Sequence, residues 1–347
     1  MNPDRARCFA RLFPAGVPAL WCPMITHYRA GGGLDRARQA AHLRHLAPCV
    51  KGLLIPGSTG DGWEMDDAEI RELLDYILGE SAPLGLRVLI GVLKTDAAEA
   101  RRCILETVSW LQSRAGTCDV DEALARAGVC GFTVCPPKGA ELPQPQIHAA
   151  LAGILALGLP TALYQLPQVT QNEMTPDTVA ALAARFPNFI LFKDTSSADR
   201  VARSGAPLDG VFLVRGAEAD YAKWPRAAGG PYDGFLLSTA NCFGRELLSV
   251  IEDVNAGRAA GAGATSSKLT TVVNEVFRIV TGLPQGNAFA NANKAMDHFF
   301  AHGNRAGHAP SPRLHGGSVL PPAVLDATRD VLMQHGWPPG RGYLGGG

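Results

Sequence analysis

The sequence predicts an α/β fold, a closed (β/α)₈ barrel followed by a C-terminal helical extension. Eight short apolar runs follow one another along the chain, and helix-like stretches separate them. Most of the runs are apolar on both faces, as expected for parallel strands that helices cover. The 347 residues suffice for one barrel of about 250 residues with an extension. A doubly wound open sheet shows the same alternation, and the count of eight favours the barrel.

The strands are expected where the apolar runs lie. They are predicted over Pro18–Thr26, Lys51–Thr59, Arg87–Lys94, Gly131–Pro137, Pro160–Pro167, Phe189–Ser196, Val211–Glu218 and Gly234–Asn241. Helices are predicted between them over Leu34–Leu46, Asp66–Leu78, Ala97–Gln112, Pro145–Leu157 and Thr175–Ala184. Asp66 and Thr175 are suitable N-caps, and Glu69 completes a box-like arrangement with Asp66. The polar stretch Ser113–Asp121 is predicted as an insertion within the helix between the third and fourth strands.

The pattern becomes helical after the eighth strand. Helices are predicted over Arg245–Asn255, Ala264–Thr281, Asn287–His302 and Pro321–His335, with a Gly- and Pro-rich loop over His302–Ser318. We therefore expect a barrel domain over residues 1–245 that carries the catalytic site, and a helical region over 246–347 packed on it. The final GRGYLGGG is expected to be a frayed, flexible tail.

Composition narrows the class of protein. Hydrophobic residues make up 46% of the chain, charged residues 18%, and the formal net charge is zero. This balance favours a globular protein and argues against nucleic acid or an anionic membrane as the main partner. The sequence shows neither a secretory signal nor an apolar run of spanning length. The eight cysteines are scattered without a CxxC pair, so we expect buried free thiols in a cytoplasmic protein.

Lys193 is the residue that most clearly suggests chemistry. It ends the apolar run FILFK, and only seven of the 32 basic residues are lysines. Burial of a lysine lowers its pKa, because desolvation disfavours the charged form, and the neutral amine is a nucleophile for carbonyl groups. The alternative is a surface lysine paired with Asp194. Side chains at the carboxyl ends of barrel strands converge on the catalytic face, which favours the nucleophile.

Two further features lie at predicted strand ends. Tyr164 ends the run TALY, and its phenol could relay protons, although a buried tyrosine of the core is the alternative. Residues Gly57, Ser58, Thr59 and Gly60 follow KGLLIP and offer two hydroxyls with several backbone N–H groups in a tight turn. Such a turn can bind a carboxylate, although the same four letters also describe many plain loops.

These pieces together resemble the dihydrodipicolinate synthase/N-acetylneuraminate lyase family of class I aldolase-type enzymes. The resemblance spans roughly Pro18 to Leu283. The motifs that carry it occur in the expected order and are GLLIPGSTGDGWEM, YQLPQVT, FILFKDTSS, VRGAEAD and GFLLSTAN.

The resemblance implies a role for each matching residue. Lys193 would form an imine with pyruvate or another 2-oxo acid, and Tyr164 with Ser58 would pass protons. Thr59, in the turn that starts at Gly57, would hold the substrate carboxylate. The remaining substrate contacts would come from Gly216, Glu218 and Ser238. No metal or organic cofactor is implied, and a homo-oligomer, dimer or tetramer, is expected.

Two departures from the family pattern bear on the substrate. The synthases carry an arginine five residues after the tyrosine, where it grips a second carboxylate, and this chain has Val169. An apolar side chain cannot make that charge-assisted pair, so dihydrodipicolinate synthase activity is not expected. The relay tyrosine of the fourth-strand motif is replaced by the run CPPKGAE. Lys138 in this run is either a contact for an anionic substrate or a solvated loop lysine.

The sequence thus predicts a lyase that cleaves or joins a 2-oxo acid, pyruvate in the first place, and an aldehyde. A hydro-lyase that dehydrates a 2-keto-3-deoxy sugar acid would use the same imine. A barrel that binds an oxo acid without catalysis is the non-enzymatic alternative. His298 and His302 lie four apart beside Asp297, a spacing that could hold zinc, but a packed helix face is favoured and no metal is predicted.

Overall fold

The computed structural model describes residues 2–345, and in it eight parallel strands form a closed barrel in chain order. The (β/α)₈ prediction is therefore confirmed. All eight strands occur within or beside the predicted runs, and most are shorter. They are β1 (Leu20–Cys22), β2 (Gly52–Ile55), β3 (Arg87–Val92), β4 (Val129–Val134), β5 (Thr161–Gln165), β6 (Phe189–Asp194), β7 (Phe212–Arg215) and β8 (Gly234–Leu236).

Helices alternate with the strands and continue after β8. They are α1 (Pro3–Leu12), α2 (Arg36–Leu46), α3 (Asp67–Ser81), α4 (Ala97–Ala115), α5 (Val120–Arg126), α6 (Gln144–Leu155), α7 (Pro167–Thr170), α8 (Pro176–Arg185), α9 (Arg200–Arg203), α10 (Ala240–Asn255), α11 (Ala259–Val280), α12 (Ala288–His302) and α13 (Pro322–Gln334). Asp66 caps α3 in a complete capping box with Glu69, and Thr175 caps α8, as predicted. None of the described helices has the length and apolar character that crossing a membrane requires.

Two compact units can be distinguished within the described chain. The first contains residues up to Ala19, Arg87–Ala217 and Trp224–Leu236. Its strands β4, β5, β6 and β7 are paired in parallel, and the register places Tyr164 beside Lys193 and Lys193 beside Val214. Strand β6 is buried along its whole length, which explains why its sequence is apolar on both faces.

Helix α1 belongs to the first unit, and the sequence analysis did not predict it. The Arg5 side chain of this helix is fully buried, and its guanidinium donates hydrogen bonds to four carbonyl oxygens at distances of 2.6 to 3.0 Å. One of the four acceptors is Phe189, the first residue of β6. The helix start is visible in the sequence, because Asn2 is a good N-cap, Pro3 suits the first turn and Asp4 complements the helix dipole.

The second unit contains Leu20–Leu86, Glu218–Lys223 and the described residues from Leu237 onward. Its helices α10, α11, α12 and α13 pack against one another, and α12 is buried along nearly its whole length. The polar stretch Ser113–Asp121, in the first unit, interrupts the helical segment between β3 and β4. Gly116 ends α4 in the left-handed conformation, and α5 begins four residues later.

The tail differs from the frayed segment that the sequence predicted. Gly346 and Gly347 lie outside the described residues, but Tyr343 is partly buried and packed. Its ring stacks on His45, with 4.7 Å between the ring centroids, and its hydroxyl donates to Asp297 Oδ1 at 2.8 Å. The chain is therefore held against α2 and α12 close to its C terminus.

Candidate active site

In the first unit, Lys193 and Tyr164 form the centre of the candidate site. They are register partners on β6 and β5, and their exposed fractions are 4% and 3%. Lys193 Nζ lies 4.0 Å from the centroid of the Tyr164 ring, so the aromatic face contacts the amine. The alternative of a surface lysine paired with Asp194 does not fit this burial. The Asp194 carboxylate is also buried and accepts a hydrogen bond from the Ser196 backbone at 2.8 Å.

Gly216 lies against the same lysine. A Cβ atom at this position would come within 2.9 Å of Lys193 Cε and 2.5 Å of Thr195 Cγ2. Real Cβ atoms do not approach other atoms this closely, so the glycine leaves the space that the lysine side chain occupies. The Gly216 backbone N–H donates to the Asp194 carbonyl at 2.7 Å. The glycine of the VRGAEAD motif is therefore explained by close packing against β6.

Cys135, directly after β4, is close enough to Lys193 to interact with it electrostatically. Burial raises the pKa of the Cys135 thiol to about 12, and the positive charge of Lys193 opposes this rise. The thiol is therefore neutral near pH 7, and it contributes an apolar wall rather than a nucleophile or a metal ligand.

A buried ion pair supports the loop that follows β6. Arg215 donates to both carboxylate oxygens of Asp199, at 3.0 and 3.2 Å, and Tyr232 donates to Asp199 at 2.5 Å. The Arg215 guanidinium also lies 3.9 Å from the Trp224 ring centroid. Asp199 has a φ of 54°, a left-handed conformation that is unusual for a residue other than glycine. These contacts fix the DTSSAD segment that follows the lysine.

In the second unit, the turn Gly57–Asp61 is tightly constrained. Gly60 packs so closely on the loop after β1 that a Cβ atom would lie 2.5 Å from the Met24 carbonyl oxygen. Thr26 donates to the Gly60 carbonyl at 2.7 Å, and Trp63 Nε1 donates to Ser58 Oγ at 2.8 Å. Because the indole N–H is the donor in that bond, the Ser58 hydroxyl keeps its own hydrogen for donation.

The same unit brings Glu218 and Ser238 together. Glu218 Oε1 accepts from Ser238 Oγ at 2.7 Å and from the Thr239 backbone at 3.1 Å. Its other oxygen accepts from the Thr239 hydroxyl at 2.6 Å and from the Tyr221 hydroxyl at 3.0 Å. Four donors thus hold this carboxylate, which makes the Glu218 side chain a fixed acceptor rather than a mobile one.

The remaining residues singled out in the first unit lie apart from the lysine motif in sequence. Lys138 is exposed, and its backbone N–H donates to the Thr95 carbonyl at 3.1 Å. Val169 lies in the one-turn helix α7 and is partly exposed. The exposure of Lys138 is what a solvated loop lysine would show.

One group of described side chains has the composition of a metal site, namely His27, His42 and Asp297. Their ligand atoms are already engaged. His42 Nε2 lies 2.9 Å from the Asn241 carbonyl, which can only accept, so His42 Nδ1 accepts from His27 Nε2 at 3.0 Å. Arg38 donates to Asp297 at 2.9 Å and supplies a positive charge where a cation would have to bind. These contacts describe a hydrogen-bonded ion-pair network.

Burial determines the charge states in this network. It lowers the pKa of both His27 and His42, which favours the neutral tautomers. Burial would raise the pKa of Asp297, but the neighbouring His42, Arg38 and His27 lower it further than burial raises it. The zinc hypothesis for His298 and His302 is not supported by their partners. His298 Nε2 is 2.9 Å from the Ala306 carbonyl, and His302 Nε2 is 3.4 Å from Arg38.

Sequence reasoning missed several residues that hold the candidate site. Cys135 gave no signal beyond an apolar run, and Thr26 lies in the loop after β1 without a motif. Helix α12 was predicted, but its sequence NAFANANKAMDHFFAH was left without a role. Its Asn287 and Lys294 contact the Gly57–Asp61 turn, 233 residues away in the case of Lys294. The available signal was a lysine among the alanines and aromatic residues of a predicted helix.

The sequence model of the dihydrodipicolinate synthetase family matches residues 112–286, just over half of the chain. The chain belongs to this family. This confirms the resemblance derived from the spaced motifs. The matched segment contains the lysine and tyrosine motifs and the VRGAEAD and GFLLSTAN motifs.

Curated members of the dihydrodipicolinate synthetase family resemble the chain over most of their length. The 4-hydroxy-tetrahydrodipicolinate synthase of Symbiobacterium thermophilum is 25% identical over 278 residues, which cover 76% of this chain and 87% of that protein. An uncharacterized DapA-like lyase of Rhizobium meliloti is 26% identical over 318 residues, which cover 89% of this chain and 94% of that protein.

Solved structures of the dihydrodipicolinate synthetase family share the fold. YagE, a prophage protein of E. coli K12 crystallised in complex with pyruvate, aligns with a TM-score of 0.68 at 19% identity, covering 92% of this chain and 98% of that one. The dihydrodipicolinate synthase of Cyanidioschyzon merolae, crystallised with lysine bound, aligns with a TM-score of 0.70 at 20% identity over the same shares. At this identity the likeness concerns the fold.

Proposed function

We propose that the protein is a Schiff-base-forming lyase of the class I aldolase type. It cleaves or joins a 2-oxo acid, pyruvate in the first place, and an aldehyde. The observation that carries this proposal is the position of Lys193, a buried lysine at the end of a barrel strand with its Nζ 4.0 Å from the Tyr164 ring. Imine formation requires an amine nucleophile and a group that transfers protons, and a buried lysine next to a phenol provides both.

The proposed reaction begins when neutral Lys193 Nζ attacks the ketone carbon of the 2-oxo acid. The carbonyl oxygen takes up a proton to give a carbinolamine, which loses water to form a protonated imine. In the cleavage step the C4 hydroxyl gives up its proton and becomes the aldehyde carbonyl as the C3–C4 bond breaks, and the electron pair of that bond converts the C2 imine into an enamine. The enamine is then protonated on carbon, and water returns to release pyruvate and the amine. The reverse sequence joins the two substrates.

We assign the proton transfers to Tyr164, whose ring contacts the amine, and to Ser58, for which the family resemblance implies a relay role. Thr59, in the turn that begins at Gly57, is assigned to the substrate carboxylate. The backbone N–H groups of this turn and the Thr59 hydroxyl can donate hydrogen bonds to an anion. Gly216 leaves room for the lysine chain. Further substrate contacts are assigned to Glu218 and Ser238, and a weaker one to Lys138.

The proposed substrate differs from that of the synthases. Their second carboxylate is gripped by an arginine that this chain replaces with Val169. Without a charge-assisted donor at that position, a substrate with a second carboxylate would lose a bidentate pair. A neutral aldehyde partner is therefore proposed. The pyruvate complex of YagE supports pyruvate as the imine-bound partner, and the reaction as proposed uses neither a metal nor an organic cofactor.

The direct test is reduction with sodium borohydride in the presence of pyruvate, followed by mass spectrometry of the peptide around Lys193. We expect a reduced pyruvate adduct on Lys193 in the wild type and none in Lys193→Ala. Lys51→Ala, which removes an exposed lysine directly before β2, is the control and should retain the adduct. A wild-type peptide that stays unmodified would overturn the proposal.

Product analysis then distinguishes the lyase from a hydro-lyase with the same imine. A panel of 2-oxo acids is incubated with the protein, and products are separated by chromatography. Release of pyruvate together with an aldehyde supports the lyase. A dehydrated oxo acid without pyruvate would show that the imine serves elimination of water instead.

A further inference from the structure

Helix α12 contacts the Gly57–Asp61 turn from within the second unit. We propose that two of its residues, Asn287 and Lys294, are positioning residues that set the geometry of this turn for catalysis. The inference rests on the proposed function, because it assumes that Ser58 and Thr59 act on the 2-oxo acid. It gives a role to a segment that no motif explained.

Asn287 connects the start of α12 to the turn with its two side-chain atoms. Its Oδ1 accepts from the Ala290 backbone at 2.9 Å and so caps the helix. Its Nδ2 donates to the Ser58 carbonyl at 3.0 Å. The same carbonyl accepts from the Asp61 backbone at 3.2 Å, which closes the turn. A single amide group thereby fixes the distance between the helix start and the backbone of the proposed relay serine.

Lys294 makes the second connection, two turns further along the helix. Its Nζ donates to Asp61 Oδ2 at 2.6 Å, and both side chains are 2% exposed. Nζ also donates to the Arg313 carbonyl at 3.3 Å and lies 4.6 Å from the Tyr28 ring centroid. Asp61 has a φ of 62°, so the residue that Lys294 holds is the one with the strained backbone.

The two contacts act on opposite ends of the short segment that carries the hydroxyls. Asn287 holds the carbonyl of Ser58, and Lys294 holds the side chain of Asp61, so Thr59 and Gly60 lie between two fixed points. Helix α12 is itself anchored through Asp297, which pairs with Arg38. A displacement of about 1 Å in a group that orients substrate can lower a rate by roughly a hundredfold. The placement of α12 is therefore expected to influence substrate binding at the turn.

The experiment compares Asn287→Ser with Asn2→Ser. Serine is a good N-cap, so Asn287→Ser should keep the helix start while it removes the donor to Ser58. Asn2 caps α1 in the first unit by accepting from the Asp4 and Arg5 backbone, so the control makes the same chemical change at another helix start. The full-length variants are trapped with borohydride over a series of pyruvate concentrations, at a temperature where circular dichroism shows each to be folded. Lys294→Met, which removes the charge at similar length, is measured in parallel.

We expect Asn287→Ser to need at least tenfold more pyruvate for half-maximal trapping at Lys193, with a melting temperature close to that of Asn2→Ser. Lys294→Met should show at least the same increase where it folds, and Asn287→Ser decides the question where it does not. Equal pyruvate dependence in Asn287→Ser, Asn2→Ser and the wild type would overturn the inference while the proposed function stands. Absence of any adduct in the wild type would instead overturn the proposed function.

Discussion

Lys193 and Tyr164 face each other from neighbouring strands, with Nζ 4.0 Å from the ring centroid and both side chains almost completely buried. The contact joins the amine to the face of the ring, and an aromatic face stabilises an ammonium only modestly. This relationship places a phenol beside the atom at which the imine would form.

Tyr164→Phe separates these two contributions, because it keeps the ring and removes the hydroxyl. We expect the variant to fold with an unchanged circular dichroism spectrum, since the aromatic contact with Lys193 remains. Turnover of the 2-oxo acid substrate should fall by roughly 10²- to 10⁴-fold, the usual effect of losing a proton-transfer group. Steady-state kinetics with the substrate found in the panel provides the measurement. Turnover within a factor of three of the wild type would contradict the relay role.

Gly216→Ala should displace the Lys193 side chain by steric contact rather than by changing the backbone conformation. The added methyl group would meet Lys193 Cε at 2.9 Å and Thr195 Cγ2 at 2.5 Å, so one of the two side chains must move. We expect borohydride trapping with pyruvate to slow by at least tenfold while the protein remains folded. Gly153→Ala, on α6 where no atom lies within 4 Å of the new methyl group, is the matched control. Equal trapping rates in the two variants would show that the site tolerates the displacement.

Stability should decrease as pH falls from about 6.5 to about 4. Burial lowers the pKa of His27 and His42, and it lowers that of His302 to about 4. Below about 6.5 the unfolded chain therefore binds protons at these residues that the folded protein does not bind, and this difference favours unfolding. The lowered pKa of Asp297 adds a further loss of stability below about pH 4, where the unfolded chain begins to protonate that carboxylate.

Thermal melts between pH 7.5 and 4 measure this dependence. The melting temperature should decline steadily below pH 6.5, and His302→Asn should make the decline shallower. A melting temperature that stays constant between pH 6.5 and 5 would show that the histidines take up protons in the folded state as well.

Thiol reactivity should follow burial. Cys118 is exposed, whereas Cys135 is buried with a pKa of about 12. At pH 8 only about 10⁻⁴ of the Cys135 thiol would be ionised, and the thiolate is the reactive form. We expect iodoacetamide to label Cys118 first in the native protein and to leave Cys135, Cys130 and Cys242 unlabelled until the protein is denatured. Peptide mass spectrometry over time gives the order, and early labelling of Cys135 would contradict its placement.

Periodicity was sufficient to predict the barrel. Strands buried on both faces leave a continuous apolar run, and the run around Phe189 therefore predicted β6 with an error of two residues. Caps such as Asp66 act over three residues and are equally visible. Strand ends were less predictable. The apolar run continues to Thr26, but β1 ends at Cys22, because the end of a strand depends on its pairing with the neighbouring strands.

The reactive residues of the candidate site were predictable from the sequence, whereas the residues that hold them in place were not. Lys193 and Tyr164 were found because each ends an apolar run, and the barrel brings strand ends together. The contact of Asn287 with Ser58 spans 229 residues, and local sequence carries no information about such a pairing. The tautomer of His42 likewise depends on its distant neighbour Asn241, whose carbonyl accepts from Nε2. Family membership did not provide these contacts, since each joins a motif residue to a residue outside the shared motifs.

The buried Arg5 has a practical consequence for how the protein is produced. Because the first dozen residues contain several arginines, they are easily mistaken for a dispensable leader and removed when the protein is expressed. Such a shortened protein would leave four carbonyl oxygens without the hydrogen bonds that Arg5 donates to them. One of them belongs to Phe189, the first residue of the strand whose other end carries Lys193. Preparations that differ in their amino-terminal trimming should therefore differ in heat resistance and in specific activity, even though the reactive lysine lies almost 190 positions away.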